Sequence, residues 1–214
     1  MSSSVPSARP FTALVPVKPP MVGKSRLVGI DDAARARLAA SFALDTVSAL
    51  RAASLVHAVI VATDDAAFAA QMHELGAVCI PDGSAGDLNG TLVQTKNEAG
   101  RLWPHSPPVA VCADLPALRP DDIDDVLERA SADVAWFVSD VERAGTTLYG
   151  APPRSFSPGY GPGSRARHLE AGCRELPAPT SVSRDVDDLV DLQAAVALGV
   201  GAHTRAVLDD LRLF

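Results

Sequence analysis

The residues in this chain best suited to chemistry are two sets of carboxylates far apart in sequence and one set of cations. Val109-Ala110-Val111-Cys112-Ala113 is a short apolar run that ends in Asp114, and Leu115-Pro116 closes it. Proline has no N–H and cannot extend a strand ladder, so the acid stands at the carboxyl end of a buried strand, where open α/β sheets hold their ligands. Asp114 is a candidate metal ligand, with capping of the next turn as the plainer role. Arg184-Asp185-Val186-Asp187-Asp188 offers the second set. Alternate residues of an extended chain share a side, so Asp185 and Asp187 face the same way, and one acid of this run caps the helix that follows. The cations Lys18, Lys24 and Arg26 stand within nine residues of one another around Gly23. Such a loop either is solvated surface or grips a polyphosphate, lysine as a point charge and arginine as a fork. Gly23-Lys24-Ser25 lacks the upstream glycine of a P-loop, which argues against that class of ATPase or kinase.

A third locus is Gly159-Tyr160-Gly161-Pro162-Gly163-Ser164-Arg165. Glycine amides at a helix start, together with Ser164, make a small anion site, while the G-x-G-x-G spacing does not match a dinucleotide fingerprint. Two carboxylate loci, a cationic loop and an anion site fit metal-assisted nucleotidyl transfer. Magnesium would be held by Asp114 and an acid of the D-V-D segment while bridging triphosphate oxygens. Lys18, Lys24 and Arg26 would offset the charge growing on pyrophosphate. An acceptor phosphate is already a nucleophile at neutral pH, so no general base is required.

These loci need a scaffold that gathers distant loops at one edge. Residues 11–17 read as a first strand, residues 33–52 as a helix capped by Asp31 or Asp32, residues 57–63 as a strand, a helix follows from Asp64-Asp65 to about Gly76, and residues 77–80 form a short strand. That alternation predicts parallel strands with helices on both faces. A further helix runs to about Arg101; Asn89 either caps it or presents its amide to a base or sugar. Pro120 opens the next helix, whose run Asp121, Asp122, Asp124, Asp125 and Glu128 reads as a solvated face. Strands over 135–139 and 145–150, a helix over 166–171, an amphipathic helix over 189–198 and a terminal helix after Val200 complete the chain. The expected architecture is α/β: a three-layer, Rossmann-like, mostly parallel sheet in one domain over residues 11–214, preceded by a disordered arm over residues 1–10.

Composition narrows the function. The chain has 214 residues, 47% of them hydrophobic, enough for one large core. A net charge of -7 argues against a general nucleic-acid or anionic-membrane surface, so phosphate recognition must be local. Cys79, Cys112 and Cys173 are widely spaced and form no C-x-x-C, indicating neither a disulfide framework nor a zinc site. No run approaches the roughly 18 apolar residues of a membrane span, and residues 1–10 lack the apolar run of a signal peptide, so a cytoplasmic protein is expected.

Taken in order, Pro16-Val17-Lys18, Gly23-Lys24-Ser25-Arg26-Leu27, Asp114-Leu115-Pro116-Ala117-Leu118, the run from Gly159 to His168, and Arg184-Asp185-Val186-Asp187 resemble the phosphoenolpyruvate/2-phospholactate guanylyltransferase family (CofC/FbiD). The similarity runs from about residue 11 to 199. The resemblance implies a nucleotide-diphospho-sugar transferase-like fold and transfer of GMP from GTP to a small phosphorylated three-carbon acid, in coenzyme F-420 biosynthesis. It implies phosphoenolpyruvate as acceptor, with 2-phospholactate and 3-phosphoglycerate as alternatives. It places the metal on Asp114 and Asp187, with Asp185 as alternate. It places the acceptor at Thr146, Gly161 and Ser164, while the residues themselves point to Lys18, Lys24, Arg26 and Asn89 for the nucleotide. Two departures are visible: Ala113 stands where the family often has glycine, and Pro19-Pro20 stiffens the first loop. Other expectations compatible with the residues are a related nucleotidyltransferase acting on a sugar-phosphate or molybdopterin-like acceptor, and a catalytically silent GTP-binding protein.

Overall fold

A computed structural model describes residues 10–18, 27, 29–84 and 86–214. Most of the expected N-terminal arm, and Lys24 and Arg26 of the cationic loop, lie outside the described residues. The chain runs β1 (Phe11–Pro16), α1 (Asp32–Ala52), β2 (Val56–Ala62), α2 (Ala66–Glu74), β3 (Val78–Ile80), α3 (Leu88–Leu102), β4 (Pro108–Val111), α4 (Pro120–Arg129), β5 (Trp136–Ser139), β6 (Thr146–Gly150), α5 (Ser164–Glu170), β7 (Arg174–Glu175), α6 (Thr180–Ser183), α7 (Leu189–Leu198) and α8 (Ala202–Leu211).

The described strands form one seven-stranded sheet in the order β3-β2-β1-β4-β6-β5-β7. Strands β1 to β4 pair in parallel, as does β5 with β7. Only β6 runs against its neighbours, β4 and β5. The strands carry apolar residues on both faces because helices cover both. Ala13, Val15, Val59, Val61, Val109, Val111, Trp136 and Val138 enter one core cluster, and the intervening Leu14, Ile60, Ala110, Phe137 and Tyr149 enter the other, as a two-residue side-chain period requires. A third cluster joins Leu38 and Phe42 of α1 to Leu192 and Ala195 of α7 and Leu208 of α8.

The helix starts follow side-chain capping. Asp31 accepts from Ala34 N at 2.8 Å and Asp65 from Phe68 N at 2.9 Å. The cap of α3 is Asp87, which accepts from Gly90 N at 3.0 Å, and not Asn89: an N-cap carboxylate must precede the amide it binds by two or three residues, and Asn89 already lies inside the helix. The acidic run on α4 is also more than a solvated face. Asp124 accepts from both Ser54 N and Leu55 N at 2.8 Å, closing the turn after α1, and Asp122 accepts from Ser181 Oγ at 2.5 Å. Among the described residues no helix is long and apolar enough to cross a membrane.

Candidate active site

Strands β1 and β4 are neighbours in the sheet, with β2 and β3 on one side and β6, β5 and β7 on the other. The chain direction through the sheet therefore switches between them, and their carboxyl ends open a crevice of the kind that binds nucleotides. Lys18, two residues beyond β1, is exposed at this mouth. Asp114 follows β4 by three residues.

The peptide units around Asp114 are held from below by α1. The Thr46 hydroxyl, fully buried, accepts from Leu115 N at 3.1 Å, and its hydrogen is shared between Phe42 O at 2.8 Å and Ala113 O at 3.2 Å. From the side, Val186 N donates to the Asp114 carbonyl at 3.1 Å, bringing the second acidic segment alongside the first. Val186 is fully buried in the α1/α7/α8 cluster. Asp188 is the residue spent on capping α7, accepting from Val190 N and Asp191 N. Asp191 steadies the segment, accepting from Asp187 N at 3.2 Å and pairing with Arg184 at 3.1 Å.

The electrostatics register the gathering of acids. Burial pushes the Asp185 carboxyl up to about 7, and the neighbouring carboxylates of Asp114, Asp187 and Asp140 add to the rise. Asp140 closes the turn between β5 and β6, its side chain accepting from Ala144 N at 2.9 Å and Gly145 N at 2.6 Å.

Beside the acids, β6 brings Thr146 to the same edge. Cys112 N donates to Thr147 O at 2.9 Å, so the antiparallel strand begins where β4 ends. The Ser164 hydroxyl donates to Thr146 Oγ1 at 3.0 Å, and His168 Nδ1 lies 2.9 Å from the same oxygen. The glycine-rich loop wraps over this pair. Gly161 and Gly163 have φ of 118° and 70°, conformations that favour glycine. Tyr160 is clamped to α3 by Asn89: its N–H donates to Asn89 Oδ1 at 2.9 Å, and Asn89 Nδ2 donates to its carbonyl at 3.2 Å. Asn89 thus braces the loop from the first turn of α3. The expected cradle of helix-end amides is narrower than the glycine count suggests, because Ser164 N and Arg165 N already donate to Gly161 O and Ala144 O. Hydroxyls carry much of the polar character here.

Among the described residues, no three His, Cys, Asp or Glu side chains form a preassembled metal cage. The donor set fits a hard cation such as magnesium, which takes one or two carboxylates and leaves its other positions to phosphate oxygens and water. The raised Asp185 carboxyl, pushed up by burial and then by the neighbouring carboxylates, is in an environment such a cation would relieve.

The family model described as "Guanylyl transferase CofC like" matches residues 11–214. The chain belongs to this CofC-like guanylyl transferase family. Among relatives of this member, a phosphoenolpyruvate guanylyltransferase of Streptomyces scabiei is 45% identical over 204 residues, covering 92% of this chain and 94% of that protein. Another, from Thermomonospora curvata, is 42% identical over 207 residues, covering 95% and 91%. The fold is shared with a crystal structure assigned to a nucleotide-diphospho-sugar transferase of Desulfovibrio desulfuricans, with a TM-score of 0.68 at 16% identity and 94% of each chain covered. It is shared too with a Mycobacterium tuberculosis protein solved in complex with manganese, with a TM-score of 0.51 at 17% identity, covering 89% of this chain and 100% of that one.

Three residues that build this candidate site escaped sequence reasoning as contributors. Asp140 carries a signal like that of Asp114, an acid just beyond an apolar strand. His168 lies one helical turn beyond Ser164, a spacing that puts both on one face. Thr46 left no signal, because a threonine within a helix reads as filler until the loop it holds is known.

Proposed function

We propose that this guanylyltransferase transfers GMP from GTP to phosphoenolpyruvate in the cytoplasm, giving enolpyruvoyl-2-diphospho-5'-guanosine and pyrophosphate, a step of coenzyme F-420 biosynthesis. The observation that carries the reading is the convergence of the Asp114 and Asp185–Asp187 segments at the carboxyl end of β4, next to the Thr146–Ser164 hydroxyl pair. An anionic acceptor seated at the hydroxyls lies beside the acids that would carry the metal of a triphosphate. In the transfer, an oxygen of the acceptor phosphate bonds to the α-phosphorus of GTP, and the bond from that phosphorus to the bridging oxygen breaks, releasing pyrophosphate. Asp114 and Asp187, with Asp185 as alternate, would hold magnesium, which supplies charge neutralisation and orientation of the triphosphate when bound. Lys18, Lys24 and Arg26 would offset the charge of the departing pyrophosphate. Thr146, Ser164 and the backbone at Gly161 would receive the acceptor, and Asn89 would serve the nucleotide side through the loop it braces. The names carried by the relatives support phosphoenolpyruvate over 2-phospholactate or 3-phosphoglycerate.

The test is pyrophosphate release by the purified protein with magnesium and GTP, offered each of the three acids in turn, with ATP as control. Release with GTP and phosphoenolpyruvate, and little with the others, is expected. Preference for another acid would replace the acceptor. No release with any acid, despite GTP binding, would overturn the reading.

A further inference from the structure

His168 is 1% exposed and sits among aromatic rings: stacked on Tyr149 with centroids 4.8 Å apart and planes at 17°, tilted against Phe137 at 5.3 Å, and edge-on to Tyr160 at 5.9 Å. Each ring nitrogen has one polar partner. Gly159 N–H donates to Nε2 at 2.9 Å, and Nδ1 lies 2.9 Å from Thr146 Oγ1. A backbone amide can only donate, so Nε2 carries no hydrogen. Burial, then the cation of Arg167, holds the imidazolium down to about 4, so near neutral pH the ring has one proton. That proton is on Nδ1 and is donated to Thr146.

The consequence falls on the threonine. Its oxygen receives Nδ1–H from His168 and the hydroxyl hydrogen of Ser164 at 3.0 Å. A hydroxyl has two lone pairs and one hydrogen; with both lone pairs taken, all it can offer a ligand is the hydrogen. The other neutral tautomer would set an N–H against Gly159 N–H and draw the Thr146 hydrogen back onto Nδ1. The tautomer therefore decides whether Thr146 has its hydrogen left to offer a ligand.

We propose that His168 is a positioning residue for the acceptor: its Nδ1-protonated tautomer makes the Thr146 hydroxyl an obligate donor to an anionic oxygen of the acceptor acid. The acceptor part of this inference rests on the reading under Proposed function; the tautomer part does not. A site wired this way selects phosphate or carboxylate oxygens, which accept, over groups that must themselves donate at that point.

Two measurements test it. Nitrogen-15 spectra of histidine-labelled wild-type protein at pH 7, with the His168 signals assigned by their loss in His168→Gln, are expected to show hydrogen on Nδ1 alone. Hydrogen on Nε2, or on both nitrogens, would overturn the proposal; this arm needs no substrate, and where His168→Gln does not fold the same signals are assigned in the wild type by through-bond correlation across the Gly159 N–H to Nε2 hydrogen bond. In the second arm, pyrophosphate release is followed with whichever acid supports it. A glutamine at 168 reaches the Nε2 position, where it can accept from Gly159 but cannot serve Thr146. An asparagine occupies the Nδ1 position and retains a donor for Thr146. His168→Gln is expected to raise the acceptor KM about 10- to 100-fold, the range for a lost hydrogen bond to a charged group, with the GTP KM within about twofold of wild type, and His168→Asn to recover most of the loss. Equal losses in both variants, or equal rises in both KM values, would mark a purely structural histidine and overturn the proposal. If no acid supports turnover, the proposed function falls, and the spectra alone then sustain or overturn the wiring of His168 to Thr146.

Discussion

Thr46→Val isolates what α1 contributes to the placement of Asp114. Valine matches the shape of threonine and opens no cavity, so the change removes one hydroxyl only. Leu115 N loses its acceptor at a residue with no exposed surface. A buried donor left without a partner costs about 1–3 kcal/mol. Phe42 O keeps its place in the helix ladder, and Ala113 O loses its share of a divided hydrogen, adding less than about 1 kcal/mol. The expected total is about 2–3 kcal/mol, which for a domain of this size lowers Tm by about 4–12 °C. The lost contacts are those of the residues on either side of Asp114, so the carboxylate is also released from its position. Since a misplacement of about 1 Å can cost on the order of 100-fold in rate, kcat should fall at least about tenfold. Thr46→Ser keeps the hydroxyl and should keep the rate, losing only the stability of a buried methyl. Thermal unfolding and pyrophosphate release check both variants. A Val variant within about 0.5 kcal/mol of wild type, or Ser and Val variants with equal rate losses, would refute the reasoning.

Asp114→Ala should abolish turnover while circular dichroism stays native; normal activity in the folded variant would remove Asp114 from the metal site. Asp45 on α1, 5% exposed, accepts from His203 N at 3.0 Å and Thr204 N at 2.8 Å and so caps α8 across the core. Asp45→Ala should cost about 2–3 kcal/mol by urea unfolding with an unchanged m-value, and a loss under about 1 kcal/mol would contradict the cap. His168, held down to about 4 against 6.5 when unfolded, contributes stability that is complete above pH 6.5 and is lost as the pH falls toward 4. The stability gap between wild type and His168→Gln should therefore narrow from pH 7 to 5, by up to about 1.4 kcal/mol per pH unit. The raised Asp185 carboxyl works in the opposite direction in both proteins, which is why the difference between them is the quantity to measure; a constant gap would refute the assignment.

The first half of the fold was legible in sequence because each element carries its own local signal. Asp31 and Asp65 cap the helices they precede, and the apolar runs of β1, β2 and β4 end at polar residues. The α7 helix occupies its expected residues, with Asp188 as the acid spent on the cap. Strand order beyond β4 depends on pairing between distant residues, but part of it was readable: six residues between β5 and β6 are too few for a crossover, so the two must be antiparallel. At the site, charge was legible and wiring was not. Carboxylates at strand ends announce themselves. The bracket of Asn89 on Tyr160, the Thr46 bond beneath Asp114 and the tautomer of His168 arise only when residues tens of positions apart are folded together.

The reversed direction of β6 has a consequence for how this enzyme can change. Thr146, Gly161, Ser164 and His168 all fall in one uninterrupted run from β5 to β7, tied to the rest of the sheet along the single seam between β4 and β6. The strands that end at Lys18 and Asp114 lie wholly on the other side of that seam. The residues proposed for the acceptor thus sit in one contiguous segment, and a transplant of residues 136–176 from a relative, matched at the Asn89–Tyr160 clamp, is expected to exchange one acid for another while the residues proposed for the nucleotide stay in place.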